Sequence, residues 1–272
     1  MEVVDIREKK EQLKQMLLDV TRQDVMVAYS GGVDSALLTA MLVEAASVHH
    51  TRVLAVTAVT RLHPMGEIEA AKQVAKELSV EHDVVVVDEL SEAGIGDNPP
   101  DRCYLCKKCI YEKMLQLARE QSITVLLDGT NASDLEEYRP GLKALQELKV
   151  SSPFAACGLK KSEVRILAKE YHISVADKPA SPCMATRFPY GTQLSYESLE
   201  QVAKAEYLIR ERGFYNVRVR VYDKLVRLEV DEEDMPLLLS KKQELITELK
   251  QLGYIYVTMD LEGFRSGSMD YK

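Results

Sequence analysis

At 272 residues, with 35 Lys and Arg against 43 Asp and Glu and a formal net charge of −8, the chain has the length of one large domain or two modest ones. A protein that grips nucleic acid broadly carries a basic balance or a basic patch, so the acidic total argues against a nucleic-acid partner. No apolar run approaches the ~18 residues of a membrane span, and the charged opening residues lack the apolar core of a signal peptide. The expected location is therefore the cytoplasm, where the five cysteines point to metal or redox chemistry rather than structural disulfides.

Residues from about Asp5 to Asp19 have the spacing of an amphipathic helix, and Val25-Met26-Val27-Ala28 reads as a buried strand. Ala36 to Leu42 reads as a helix and Val53 to Ala58 as a second buried strand. Met65 to Ser79 has helical spacing, with Pro64 near its start. Asp83 to Asp88, centred on a valine run, is a third strand. A long connection from Glu89 to Pro100 opens into the segment Asp101 to Cys109, after which a helix runs to about Gln121. Thr124 to Gly129 is a fourth strand, and Leu142 to Leu148 and Lys161 to Tyr171 are further helical stretches. Strands that alternate with helices and read as continuous apolar runs indicate an α/β fold with a doubly wound parallel sheet.

A second long loop spans Asp177 to Thr192, and beyond it the texture changes. Ser195 to Arg212 is helical, Asn216 to Tyr222 and Leu225 to Val230 form a strand pair, Pro236 to Leu252 is helical, and Tyr254 to Asp260 is a strand. The expected organisation is an α/β domain over residues 1–192 and a smaller C-terminal α+β domain over 193–272.

The chain's strongest motif is Ser30-Gly31-Gly32-Val33-Asp34-Ser35, set between the first strand and the helix after it. A strand that breaks at two glycines and re-enters as a helix leaves backbone N–H groups and a helix N-terminus facing one point, a ready phosphate site. Gly31 and Gly32 permit the tight turn, Ser30 and Ser35 add hydroxyl donors, and Asp34 is placed to hold Mg²⁺ against the phosphates. The stretch matches neither the Walker A loop nor the dinucleotide-binding pattern. In a doubly wound sheet the ligand sits outside the carboxyl ends of the strands, so Ser30, Thr57 and Gly129 should meet around one nucleotide. Asp134 follows close behind, with Arg139 in the run Glu136-Glu137-Tyr138-Arg139-Pro140-Gly141. Those acids are either plain helix-start charges or groups that hold the metal or the ribose.

Cys103 and Cys106 form a C-x-x-C that extends to Cys109. Taken alone it fits a zinc knuckle, a redox pair, an Fe–S ligand pair or coincidence. Cys183 lies in a loop rather than a periodic core segment, which favours chemistry, whereas Cys157 reads as structural. Lys178 and Arg187 flank Cys183 and would either tune its thiol or serve as simple loop charges. In Val217-Arg218-Val219-Arg220-Val221 the strict alternation puts Arg218 and Arg220 on one face and the valines on the other. That face is either solvated or, with Arg265 from Gly263-Phe264-Arg265-Ser266-Gly267, a binding surface for phosphate or carboxylate.

The loop resembles the S-G-G-x-D-S pyrophosphate loop of the ATP pyrophosphatase (PP-loop) superfamily, with its adenine nucleotide alpha hydrolase-like fold. Within that superfamily the chain resembles the LarE-type ATP-dependent sulfurtransferases, which help build the nickel-pincer nucleotide cofactor. The stretches that carry the resemblance are Ser30–Ser35, Asn98–Cys106, Asp128–Asp134, Tyr138–Gly141, Ser181–Gly191, Val217–Arg220 and Gly263–Met269. It implies that ATP adenylates a carboxylate of pyridinium-3,5-biscarboxylic acid mononucleotide, and that sulfur then displaces AMP to leave a thiocarboxylate. It implies catalytic roles for Asp34 and Cys183, and ATP contacts from Ser30, Gly31, Gly32, Asp34, Ser35, Thr57, Gly129, Asp134 and Arg139. Arg218, Arg220 and Arg265 would hold the substrate phosphate. In members with an additional C-x-x-C, three cysteines bind a [4Fe–4S] cluster that carries a labile sulfide; here these would be Cys103, Cys106 and Cys183. Other members sacrifice the sulfur of the equivalent of Cys183. The implied partners are a small pyridinium nucleotide, a sulfide source and further copies of the chain. Rival expectations are a tRNA thiolase, an amidating enzyme like NAD synthetase, and a nucleotide sensor without turnover.

Overall fold

The computed structural model describes residues 5–63, 66–137, 139–178, 182–265 and 267–269. Pro64, Met65, Tyr138, Ser181 and Ser266, each part of a stretch singled out above, lie outside the described residues. The contacts divide the chain into two units. The first comprises Met1–Thr60, Gly66–Gly94 and Asp101–Ala180; the second comprises Arg61–Met65, Ile95–Pro100 and Ser181–Lys272. The Cys183 loop thus groups with the C-terminal residues, as do two short segments drawn from the first half of the chain.

The first unit runs α1 (Ile6–Val20), β1 (Val25–Ala28), α2 (Val33–His49), β2 (Val53–Val59), α3 (Glu67–Glu77), β3 (Glu81–Val86) and α4 (Glu89–Glu92). It continues with α5 (Arg102–Glu120), β4 (Val125–Leu127), α6 (Ala132–Leu135), α7 (Gly141–Glu147), α8 (Pro153–Ala156) and α9 (Lys161–Glu170). Its sheet has the order β3-β2-β1-β4 and every pairing is parallel. Alternate strand residues feed two cores. Val25, Val27, Ala55 and Leu127 pack with Leu37, Leu38 and Met41 of α2, Leu13 and Leu17 of α1, and Val164 and Leu167 of α9. Met26, Leu54, Val56 and Leu126 pack on the opposite face with Tyr111 and Met114 of α5 and Leu145 of α7. The sheet is therefore doubly wound, as the continuous apolar strands indicate.

The second unit contains α10 (Tyr196–Arg210), β5 (Val217–Tyr222), β6 (Leu225–Val230), α11 (Met235–Ser240), α12 (Lys242–Gln251) and β7 (Tyr256–Met259). β5 pairs antiparallel with β6, and β6 pairs parallel with β7. Val217, Val219 and Val221 are buried together with Leu199, Val202 and Ile209 of α10.

Three local expectations change. The C-x-x-C lies inside α5, which starts at Arg102 rather than after Cys109. β3 begins and ends two residues earlier than the valine run suggested, because it is an edge strand with only β2 to pair with, from Glu81 onward. The expected helix from Pro236 to Leu252 is two helices that meet at Lys241, and the Leu237 carbonyl there accepts both the Lys241 N–H at 3.1 Å and the Ser240 hydroxyl at 2.7 Å. Among the described residues no helix is long and apolar enough to cross a membrane.

Candidate active site

In the first unit, β1 ends at Ala28 and the chain turns through Ser30, Gly31 and Gly32 into α2. Gly31 has φ +69°, and a Cβ there would sit 2.6 Å from the Ala71 Cα of α3, so only glycine fits. Gly32 is the N-cap of α2, and no side chain caps that helix. The first-turn N–H groups of a long helix are thereby left open to an anion. The two serines brace the turn: the Ser35 hydroxyl donates to the Gly32 carbonyl at 3.1 Å and accepts the Ser30 N–H at 3.2 Å, with the Ser30 hydroxyl 3.1 Å away.

Gly129, just past β4, meets this turn directly. A Cβ on it would lie 3.0 Å from both the Asp34 carbonyl carbon and the Ser35 nitrogen, so glycine is what lets the end of β4 approach the start of α2. Asp34 is held from two other elements. Asn131, the N-cap of α6, donates to its Oδ1 at 3.2 Å, and the Lys161 ammonium of α9 is ion-paired with its Oδ2. Asp134 accepts the Asn131 N–H at 2.9 Å in a capping box and pairs with Arg139 at 2.8 Å. Thr57 is buried, donating to the Tyr29 carbonyl at 2.7 Å and lying 2.8 Å from His82 Nε2. Its hydroxyl therefore fixes the strand leading into the loop.

Cys103 and Cys106 lie one turn apart near the start of α5, Cys103 exposed and Cys106 half-buried. The next residue, Lys107, reaches toward Asp128 at the end of β4, with Nζ 3.8 Å from the carboxylate. Burial pushes the Lys107 ammonium below the ordinary lysine range, against the pull of Asp128 and Asp134. The buried Asp128 carboxylate in turn accepts from the Thr130 hydroxyl at 2.6 Å, the Ser152 hydroxyl at 2.5 Å and the Tyr111 hydroxyl at 3.3 Å.

In the second unit the half-buried Cys183 precedes a 3₁₀ turn, Met184–Arg187. Its carbonyl accepts the Thr186 hydroxyl at 2.7 Å. Arg187 is 1% exposed and pairs bidentately with Glu206 of α10 at 2.7 and 3.0 Å. Asn98, fully buried, donates to the Phe188 and Pro189 carbonyls at 3.1 and 2.8 Å, pinning the far end of the same loop. Lys178, in the first unit, is paired with Glu67 at 2.7 Å.

The three arginines expected to hold phosphate stand in different environments. Arg220 is buried and bound to Glu229 at 2.7 and 3.0 Å. Arg265 is exposed and paired with Asp260 at 3.2 Å and Glu262 at 2.6 Å. Arg218 has no carboxylate partner among the described residues. It donates to the Asn216 side chain and the Val217 carbonyl and lies over the Phe264 ring at 5.0 Å. Burial first, then the charges of Arg187, Arg210 and Arg220, push its pKa down to about 10, against the pull of Glu206. A half-buried cation without a counter-ion is a ready site for an anion. Sequence reasoning gave no role to Lys107, Asn131, Lys161 or Glu206. Lys107 adjoins and Asn131 lies inside a stretch that carries the resemblance, whereas Lys161 and Glu206 belong to plain helical segments, and only the fold gives all four their partners.

The fold and the loop define the class: the chain is an enzyme of the PP-loop family, whose domain pattern matches residues 6–147. It is 37% identical to the pyridinium-3,5-bisthiocarboxylic acid mononucleotide synthase of Lactiplantibacillus plantarum, over 96% of this chain and 94% of that one. It is 34% identical to an uncharacterized protein of Synechocystis sp., over 97% of this chain and 98% of that one. A tRNA-specific 2-thiouridylase MnmA of Rickettsia felis is 28% identical over 58% of this chain and 52% of its own length. Within the PP-loop family, the chain belongs to the LarE-type sulfurtransferases.

Proposed function

We propose that the protein uses ATP to adenylate the carboxylates of pyridinium-3,5-biscarboxylic acid mononucleotide and then replaces the activated oxygen with sulfur. The observation that carries the reading is the uncapped N-terminus of α2 behind Ser30-Gly31-Gly32, with Asp34 in its first turn. It is supported by the near full-length similarity to a synthase of the bisthiocarboxylic acid mononucleotide. A carboxylate is a poor electrophile until its oxygen becomes part of a phosphate leaving group. Its oxygen bonds to the α-phosphorus as the bond to the α–β bridging oxygen breaks, and that electron pair leaves with pyrophosphate. The open N–H groups of α2 and the hydroxyls of Ser30 and Ser35 hold the β- and γ-phosphates, while Gly129 and Arg139 complete the rim.

The hard oxygen donors at Asp34 and Asp134 suit Mg²⁺, which would neutralise phosphate charge there. Arg218 is the principal phosphate anchor for the substrate, with Arg220 and Arg265 in support. For sulfur delivery we assign Cys103, Cys106 and Cys183 as ligands of a [4Fe–4S] cluster, which when bound would supply sulfur as a labile sulfide fed by an external donor. The soft thiols of Cys103 and Cys106, one turn apart, fit such a group. Among the described residues no group of three or more His, Cys, Asp or Glu is drawn together for a metal, so the third ligand rests on the family resemblance. The test is incubation with ATP and the pyridinium dicarboxylate. AMP and pyrophosphate as products support the reading, and ADP with orthophosphate contradicts it.

A further inference from the structure

The residue that the adenylating scheme leaves without a task is Lys161, the first residue of α9. Its ammonium is paired with Oδ2 of Asp34, while Asn131 holds Oδ1 at 3.2 Å. Its backbone N–H donates to the Ser133 hydroxyl at 3.1 Å, which ties the start of α9 to α6. The two oxygens of Asp34 are thus held unequally. Oδ1 is fixed by a short amide, and Oδ2 by an ammonium on a flexible four-carbon stem whose root is anchored.

Cations near the loop are matched to carboxylates: Lys161 to Asp34, Arg139 to Asp134, Lys107 to Asp128. A triphosphate brings several negative charges to a place whose positive side chains are already neutralised. Of these carboxylates, Asp34 and Asp134 are assigned above to the divalent cation, and Asp34 sits in the first turn of α2, at the uncapped N-terminus.

We propose that Lys161 and the divalent cation take turns on Asp34. In the free protein Lys161 occupies Oδ2 and keeps the carboxylate from repelling nucleotide. When the metal–nucleotide complex arrives, Lys161 yields Oδ2, Asn131 keeps the carboxylate from rotating, and the freed ammonium donates to the departing pyrophosphate. No proton moves; Lys161 supplies N–H donors to oxygens whose charge grows as the α–β bond breaks. This inference rests on the adenylating reading, and its test separates the two.

The experiment titrates nucleotide-free protein with Mn²⁺ as the probe, free Mn²⁺ being read by electron paramagnetic resonance, and measures pyrophosphate release separately. Lys161→Met removes the competitor, so Mn²⁺ should bind ~10-fold tighter or better, the size of one charge-assisted contact. The same variant should release pyrophosphate ~100-fold more slowly, as expected for loss of one transition-state donor. Lys161→Arg keeps a cation on Asp34 and should bind Mn²⁺ as the parent does. Asp34→Asn, left with Asp134 alone, should bind Mn²⁺ more weakly than the parent. If Lys161→Met is folded and binds Mn²⁺ no tighter than the parent, the exchange is wrong even where pyrophosphate forms. If the parent forms no pyrophosphate, the adenylating reading fails, and the Mn²⁺ comparison still decides whether Lys161 guards Asp34.

Discussion

The guanidinium of Arg187 grips the Glu206 carboxylate through two hydrogen bonds at 2.7 and 3.0 Å, both groups being almost fully buried. The remaining nitrogen of Arg187 faces the Pro182 and Cys183 carbonyls at 3.4 Å and the Thr186 hydroxyl at 2.9 Å. Glu206 also accepts the Val219 N–H of β5 at 3.1 Å. One ion pair therefore joins the Cys183 turn to α10 and to the strand that carries Arg218. Replacing Glu206 by Gln leaves a buried guanidinium without its counter-ion, and should cost ~3–5 kcal/mol in a urea unfolding experiment.

The same carboxylate has a signed pH dependence. Burial opposes its charge, yet the hydrogen bonds and charges of Arg187 and Arg210 hold its pKa below the ordinary glutamate value. A depressed folded pKa contributes stability that is complete above the unfolded value, ~4.3, and is lost as pH falls through the folded value. The stability gap between the parent and Glu206→Gln should therefore be widest near neutrality and shrink in acid below that range. A gap that widens in acid would contradict the pairing.

Arg218 and Arg220 sit side by side in sequence pattern but should separate in experiment. Arg218→Ala removes a cation with no carboxylate partner among the described residues, so the fold should hold while binding of the pyridinium nucleotide weakens by ~1.5–3 kcal/mol. Arg220→Ala removes two hydrogen bonds from the buried Glu229, which keeps Arg227 at 2.9 Å and the Ser268 hydroxyl at 2.8 Å, and should lower stability by ~1.5–3 kcal/mol. Calorimetry of substrate binding beside thermal unfolding of each variant checks both. Equal loss of stability in the two variants would refute the distinction.

Much of this was legible from the chain, for identifiable reasons. The buried parallel strands announce themselves as apolar runs, and the Gly31-Gly32 turn between Val27 and Ala36 can be read as a phosphate loop without any coordinates. The strict alternation of Val217 to Val221 gave the face of Arg218 and Arg220 correctly. Periodicity could not show which arginine Glu229 binds: it lies opposite Arg218 in the register of β5 and β6, yet its carboxylate pairs diagonally with Arg220. Periodicity also could not place Lys161 on Asp34, which lies 127 residues away in the chain. The cysteine helix was misread for a local reason: Cys103, Lys107 and Lys108 carry no apolar stripe, so the first turns of α5 look like loop.

Cysteine chemistry gives a further prediction. With Cys103 and Cys106 as cluster ligands, replacing either by Ala should remove iron and sulfur insertion together in anaerobically purified protein. Intact-mass spectrometry after sulfide-fed turnover should show no change. A loss of about 34 Da, a cysteine turned to dehydroalanine, would show instead that Cys183 had surrendered its own sulfur.

Carboxylate activation by transfer of AMP is the central step of the proposed reaction, and the fate of one oxygen tests it directly. The pyridinium substrate is prepared with heavy-oxygen label in its carboxylates, and the products of reaction with ATP are separated and weighed. Attack of the carboxylate on the α-phosphorus, followed by displacement with sulfur, leaves one labelled oxygen on AMP and none on pyrophosphate. Unlabelled AMP, or label appearing in orthophosphate beside ADP, would contradict it.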